Sequence, residues 1–292
     1  MGELGEIVVT GLRFPEGPVW CGDGTVVCSS VIDGVLYRVW PDEQRWETLV
    51  ITGGGANAAA PASDGGFLIT QNGGIDLAIM GLFDEAPPFT PVAPGIQRLS
   101  ADGKLSYVLD DGFNAPNDLV VAEDGTLYFT DPGHYPLPDP FVGRVLRLEP
   151  DGTLTALATG MAFPNGIALE PDGGIVIVEQ NSLMRLHPDG STSFAVQREG
   201  GVMGDGFCLD AEGNFYVAST MHHGVRVYSP DGKELDWLPI PDSPNGKGCT
   251  TNCCFGGADG RTLFATDGLP GQLVAWEGLP HPGRTVYPWP VP

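Results

Sequence analysis

The stretch Phe163-Pro164-Asn165-Gly166-Ile167-Ala168-Leu169-Glu170-Pro171-Asp172-Gly173-Gly174-Ile175-Val176-Ile177-Val178 holds the unit from which the rest of the chain can be read. An apolar run meets an Asp-Gly turn, and a β-branched run follows. An acidic residue before Gly between two such runs is a hairpin signature, because Gly takes positive φ without steric cost. The turn recurs at Asp23-Gly24, Asp64-Gly65, Asp124-Gly125, Asp172-Gly173, Glu212-Gly213 and Asp259-Gly260, with the glycines 41, 60, 48, 40 and 47 residues apart. Each is followed by a β-type run, at 25–29, 67–70, 126–130, 175–178, 214–218 and 261–266. A second turn follows in five repeats, at Pro41-Asp42, Asp102-Gly103, Asp151-Gly152, Asp189-Gly190 and Asp231-Gly232.

Six repeats of roughly 40–50 residues, each with several short strands, predict an all-β fold, a six-bladed β-propeller. Each repeat maps as inner strand, turn, second strand, loop, third strand, turn, outer strand. The second repeat is long because 73–94 adds a Pro-rich insertion with Met80, Leu82, Phe83 and Phe89, read as a lid over one end of the tunnel. The sixth lacks a clear outer strand, and residues 6–10 are predicted to supply it and close the ring. No compositional break marks a linker, so 1–292 reads as a single domain.

Composition sets limits on function. Among 292 residues are 43 Gly and 27 Pro, with 42% hydrophobic residues, as a turn-rich protein with a real core would have. The formal net charge of −23 repels phosphate backbones and anionic lipid and attracts cations, which argues against nucleic-acid and membrane partners. The first ten residues lack a basic region followed by an apolar run, and no stretch is apolar for ~18 residues. Cys21, Cys28, Cys208, Cys249, Cys253 and Cys254 show no C-x-x-C spacing and read as buried reduced thiols of a cytoplasmic protein, with a single structural disulfide as the alternative. Trp20, Trp40 and Trp46 are expected to pack between blades.

The chemistry emerges on stepping back seven residues from each first turn. The positions are Glu16, Asn57, Asn117, Asn165, Asp205 and Asn252, and all six carry a side-chain oxygen. One such residue would be read as a turn former. Six in register, at the starts of strands that line a central tunnel, predict oxygens converging on the axis. Two carboxylates with up to four amide oxygens suit a hard divalent cation, Ca²⁺ above all, while Zn²⁺ more often takes His and Cys. Phe14-Pro15-Glu16-Gly17, Ala115-Pro116-Asn117-Asp118 and Phe163-Pro164-Asn165-Gly166 are one motif written three times, with Gly expected to leave room beside the ion.

Chain direction identifies the mouth. The inner strand starts at the ligand end and the second strand returns to it, so the loops after the second strands open above the cation. They hold Gln71-Asn72-Gly73, the run Asp131-Pro132-Gly133-His134-Tyr135, Glu179-Gln180-Asn181, Met221-His222-His223 and Asp267-Gly268, polar residues suited to positioning a substrate. Among them Asn72 and Tyr135 join Asn117 and Asn252 as candidate substrate contacts. His134 and His222 are candidate proton carriers, and His223 could equally point outward. Gly53-Gly54-Gly55 lacks the Lys-Ser/Thr and helix of a phosphate loop, and no G-x-S-x-G nucleophile elbow occurs.

Five ordered motifs, 14–20, 115–132, 163–168, 204–207 and 251–257, resemble the gluconolactonase, senescence marker protein and luciferin-regenerating enzyme family of six-bladed propellers, across essentially the whole chain. The resemblance implies a divalent cation at the tunnel mouth, Ca²⁺ in many members and Zn²⁺ or others in some, Mn²⁺ and Mg²⁺ being further options. It implies Glu16, Asn165 and Asp205 as core ligands, Asn117 as a further ligand or substrate contact, and Asp205 as general base or nucleophile. The expected activity is hydrolysis of a sugar-type or related lactone by a water activated on the metal or by Asp205. The alternatives are an organophosphate hydrolase on the same site and a non-catalytic Ca²⁺-binding propeller. A monomer or homodimer is expected. Two departures bear on the sugar rather than the metal: Ala115 stands where animal sugar lactonases often have Arg, and the 131–135 loop differs from the Asp-Pro-Pro-Tyr-Gly of many bacterial gluconolactonases.

Overall fold

Each Asp-Gly turn reverses the chain between an inner strand and its neighbour, and six antiparallel four-stranded sheets result, set around one axis. The computed structural model describes residues 2–79, 81–85, 87–241 and 248–291. After β1 (Glu6–Thr10), blade one runs β2 (Pro15–Trp20), β3 (Val26–Ser30), β4 (Val35–Trp40) and β5 (Arg45–Ile51). Blade two follows as β6 (Ala56–Pro61), β7 (Phe67–Gln71), β8 (Gly95–Leu99) and β9 (Leu105–Leu109). Blade three is β10 (Leu119–Val121), β11 (Leu127–Asp131), β12 (Gly143–Leu148) and β13 (Leu154–Met161). Blade four is β14 (Pro164–Leu169), β15 (Ile175–Glu179), β16 (Ser182–Leu186) and β17 (Thr192–Gln197). Blade five is β18 (Phe207–Leu209), β19 (Phe215–Ser219), β20 (Gly224–Tyr228) and β21 (Glu234–Pro239). Blade six is β22 (Thr250–Gly256), β23 (Thr262–Asp267) and β24 (Gln272–Trp276), completed by β1. The pairing of β1 with β24 is the predicted closure: Glu6 faces Ala275 and Thr10 faces Gln272.

Burial is greatest on second strands and falls towards the outer ones. The second strands β3, β7 and β19 are buried at every residue, whereas the outer β9 alternates between half-buried and exposed. The core therefore lies between blades, as where Val176, Val178 and Leu183 of blade four meet Phe207, Leu209 and Phe215 of blade five. Burying side chains of this size contributes roughly 1.5–3 kcal/mol each, which holds adjacent sheets face to face.

The Asp-Gly turns lie at the end of the tunnel away from the candidate ligands. Asp124 Oδ1 accepts the Thr126 N–H at 2.9 Å, and Asp172 Oδ1 the Gly174 N–H at 2.9 Å. In repeat five, Asp210 accepts from Glu212 and Asn214 instead. The segment after blade six crosses this end, bridging Gly283 to Asp210 and Trp289 to Ala62. Between it and the mouth lies an axial cavity of about 560 Å³, lined by inner strands of all six blades together with Arg284 and Tyr287.

Some packing differs from expectation. Trp20 does pack between blades, stacked on Phe264 at 5.7 Å. Trp40 does not, because it ends β4 at the surface, where the Arg45 guanidinium covers it at 3.6 Å. Trp46 packs edge-on to Tyr37 within blade one, and its Nε1–H reaches the Thr10 carbonyl of blade six. All six cysteines are free thiols, so the alternative of one disulfide is not realised; Cys208 and Cys253 touch at 3.6 Å between sulfurs. Within the insertion, Ile75, Leu77, Leu82 and Phe83 pack with Phe14, Val31, Ile32 and Cys249, all from loops around the mouth. Met80 lies outside the described residues. Among those described, no helix is long and apolar enough to cross a membrane.

Candidate functional site

The six register positions sit where inner strands begin, and their backbones are fastened from blade to blade. In the first half of the ring a hydroxyl five residues after each turn glycine does this: Ser29 donates to the Asn57 carbonyl, Thr70 to that of Asn117 and Thr130 to that of Asn165. Blades four and five have Val178 and Ala218 at that place, and backbone amides take over. Gly166 N–H donates to the Asp205 carbonyl at 3.2 Å and Gly206 N–H to that of Thr251 at 2.7 Å. Thr251 Oγ1 then donates to the Pro15 carbonyl at 2.8 Å and closes the girdle. With these carbonyls occupied, the side chains are what the strand starts have left to present.

Glycine beside the candidate ligands has a different purpose from the one expected. A Cβ on Gly17 would lie 2.4 Å from the Ala58 Cα, and one on Gly206 would lie 2.0–2.2 Å from the Asn252 amide. The space accommodates the neighbouring inner strand rather than an ion. Phe14, at φ 44°, holds a left-handed conformation that costs ~1–2 kcal/mol for a non-glycine residue. Its ring, buried and 5.9 Å from that of Phe83, anchors the turn that delivers Glu16.

Three carboxylates meet at the axis. Glu16 comes from blade one, Asp205 from blade five, and Asp118, from blade three, is a residue the register reading passed over. Glu16 is held well above the ordinary carboxylate range by burial and by the charges of Asp205 and Asp118. Asp205 is pushed up to about 8 by burial and then by Asp118, with the Asn165 amide pulling the other way. Burial pushes Asp118 up to about 6 against the hydrogen bond from Asn252. That bond crosses the tunnel: Asn252 Nδ2, from blade six, donates to both Asp118 oxygens at 3.0 and 2.9 Å. Carboxylates from blades one, three and five thus alternate with the amides Asn57, Asn165 and Asn252 of blades two, four and six. A sequence signal for Asp118 did exist. The column after the register position reads Gly17, Ala58, Asp118, Gly166, Gly206 and Cys253, and only one of these is charged.

The remaining sequence-derived candidates divide. Asn165 and Asp205 are half-buried at the mouth, while Glu16 and Asn117 are buried. Asn117 Oδ1 is buried without a hydrogen-bond partner. Tyr135 is exposed, its ring tilted against that of Phe163 at 5.0 Å, and its phenol is raised by burial and by the charges of Asp205 and Glu179. Asn252 uses its amide internally, Oδ1 accepting from Cys253 N–H. Asn72 does likewise, donating to Asn57 at 3.4 Å and accepting from Gly74 N–H at 2.8 Å. His134 is exposed on the mouth loop of blade three. His222 is exposed with Nδ1 3.2 Å from Ser219 Oγ, and slight burial with nearby Arg226 and Arg198 lowers its pKa. His223 is the histidine turned inward, Nε2 lying 2.6 Å from Asp267 Oδ2.

Several polar groups expected to face a substrate hold the loops instead. At the end of the second strand, Gln71 accepts from Gly55 N–H, Asp131 from Asn114 and Ala115 N–H, Glu179 from Ala162 and Phe163 N–H, and Asp267 from Cys249 N–H. In each of these four blades one side chain ties the loop that leads into the inner strand.

Among the described residues no group of three or more His, Cys, Asp or Glu side chains forms a ready metal site. A cation here would draw on amide oxygens as well, which is the composition the register residues have. The orphaned Asn117 Oδ1 and three mutually repelling carboxylates fit a hard divalent ion, since a buried positive charge would relieve both.

Comparison with known proteins places the chain among lactonase relatives. The chain is 27% identical to a gluconolactonase of Zymomonas mobilis, over 89% of this chain and 77% of that one. It is 28% identical to a pentonolactonase of Haloferax volcanii, over 93% and 88%. A solved structure of a calcium-binding protein, regucalcin, from Agrobacterium tumefaciens shares the fold with a TM-score of 0.75 at 21% identity, covering 98% of this chain and 97% of the other. The family model for the SMP-30/gluconolactonase/LRE-like region matches residues 14–268, and the chain belongs to that family.

Proposed function

We propose that this protein is a divalent-cation-dependent lactonase. The observation that carries the reading is the convergence of Glu16, Asp118 and Asp205, whose charges repel one another, at the open end of the tunnel beside the unpartnered Asn117 oxygen. The lactonases among its relatives support the reaction type. Neutral amide donors beside carboxylates favour Ca²⁺, and the regucalcin neighbour is a calcium-binding protein.

Glu16, Asn117, Asn165 and Asp205 would hold the ion. When bound, it would polarise the lactone carbonyl and stabilise the negative oxygen that develops there. Asp205, half-buried and hydrogen-bonded by Asn165, takes a proton from the attacking water. The water oxygen bonds to the carbonyl carbon, the ring acyl–oxygen bond breaks, and the ring oxygen leaves as the hydroxyl of a hydroxy acid. His134 or His222 on the rim, protonated from solvent, donates a proton to that oxygen, and Asp205 gives up the proton it took to solvent. Asp118 does not face the substrate in this scheme. Clamped by Asn252, it keeps the negative potential under the ion and closes the tunnel behind it. Tyr135, beside Asp205, contacts the ring. Six unpaired thiols support a cytoplasmic setting.

The test removes cations with a chelator, adds back Ca²⁺, Zn²⁺, Mn²⁺ and Mg²⁺ separately, and follows acid release from five- and six-membered lactones. Turnover restored by one ion supports the proposal. Ca²⁺ binding with no turnover of any lactone would leave a binding propeller, and turnover of phosphotriesters alone would move the activity to that class.

A further inference from the structure

We infer that the preferred substrate is a neutral lactone carrying an alkyl or aryl substituent, rather than a polyhydroxylated sugar lactone. The inference rests on the lactonase reading and concerns the part of the substrate that lies outside the reacting ring. Recognising a polyol takes an array of free donors and acceptors around the mouth. The polar side chains at the ends of the second strands are not free, because Gln71, Asp131, Glu179 and Asp267 are tied to backbone N–H groups and Asn72 to its own loop. The mouth loops instead expose large apolar side chains: Phe89 on the insertion, Tyr135, Phe141 and Val142 on the loop of blade three, Val202 ahead of blade five and Met221 within it. Met221 is 74% and Phe141 45% exposed, values that nothing in strand packing calls for. These six come from four separate loops of one face, and chain direction places all four loops around the tunnel opening.

Charge narrows the class further. Exposed carboxylates Asp110, Asp111, Asp139 and Glu199 stand on the same face. Of the mouth arginines, Arg13 pairs with Asp33 at 2.8 Å and Arg144 with Asp131, while Arg198 reaches the Val202 carbonyl at 3.5 Å and stands amid Glu199 and the other exposed carboxylates of this face. An anionic substrate would meet repulsion on approach, whereas a neutral one would not. Ala115, buried beside Asn117, adds no donor that could bind a hydroxyl.

The experiment uses the Ca²⁺-loaded full chain and compares glucono-δ-lactone, unsubstituted δ-valerolactone and a series of δ-alkyl δ-lactones lengthened by one methylene at a time. Expected is a rise in kcat/KM of about fourfold per added methylene until the chain outruns the rim. Glucono-δ-lactone should lie at or below δ-valerolactone. Phe141→Ser and Met221→Ser should each flatten the chain-length dependence by raising KM for the long lactones, and leave δ-valerolactone turnover unchanged. Gluconolactone turned over faster than every alkyl lactone would overturn the inference and leave the lactonase reading standing. So would a flat alkyl series, or a steep one that both variants preserve. No turnover of any lactone would remove the reading on which the inference depends.

Discussion

Aspartates stand at both ends of the inner hairpins, and the two sets are opposite in character. At the far end, Asp23, Asp64 and Asp124 are exposed, accept hydrogen bonds from residues two positions on, and have pKa values lowered by those bonds. At the mouth, Asp118 and Asp205 are desolvated, crowd each other and Glu16, and have pKa values raised. The residue type is the same and the sequence separation within a repeat is about seven positions. Position on the repeated frame therefore decides whether a carboxylate folds the chain or waits for a partner. The far-end aspartates satisfy their own backbone, whereas Asp118 and Asp205 add charge to the repulsion felt by Glu16.

The largest expected effect comes from removing charge at the mouth. Asp205→Asn should lower kcat/KM for lactone hydrolysis by about 10³-fold or more while the fold persists, as read by circular dichroism and Tm. Equal loss on substituting Asp124 would erase the contrast between the two ends. A second test uses pH. In the cation-free protein Asp205 and Asp118 have folded-state pKa values above their unfolded ones, so the folded state binds extra protons between roughly pH 4 and pH 8. The stability they lend is fully present below pH 4 and is lost as pH rises through the folded values. Tm should fall by about 5–10 °C from pH 5 to pH 8, and saturating Ca²⁺ should remove most of that slope. A flat cation-free curve would mean the carboxylates are already compensated. The smallest effect belongs to Asp124→Ala, which loses the 2.9 Å bond to Thr126 N–H. It should lower Tm by about 2 °C and leave turnover unchanged.

The ring was legible because turn chemistry is local. Asp-Gly at a regular spacing forces a hairpin whatever lies around it, and six hairpins imply a sixfold closure even where β1 must be borrowed from the other end of the chain. The axial oxygens were legible for the same reason, since counting from a fixed turn keeps the register. Asp118 escaped because the count selected Asn117, and β10 starts only at Leu119, after an irregular approach that lets two consecutive residues point inward. The role of Gln71, Asp131, Glu179 and Asp267 was not legible either. Their partners are amides 16 to 18 residues earlier, brought back by the strand pair, and nothing in a polar loop sequence distinguishes a staple from a substrate contact. Trp40 was misjudged because a tryptophan at a strand end can be capped by its own hairpin, here by Arg45.

The pairing of β1 with β24 has a consequence for how the molecule is made. β1 must wait for its place, since its partner is synthesised some 260 residues later. Until then Glu6–Thr10 hangs loose, and once made, β24 presents a raw hydrogen-bonding edge of Val and Leu that any other strand could capture. Quality control of the newborn protein thus turns on one late zipper. Trimming the first ten residues should show itself less as a weaker enzyme than as a sticky one, prone to trade strands with its neighbours.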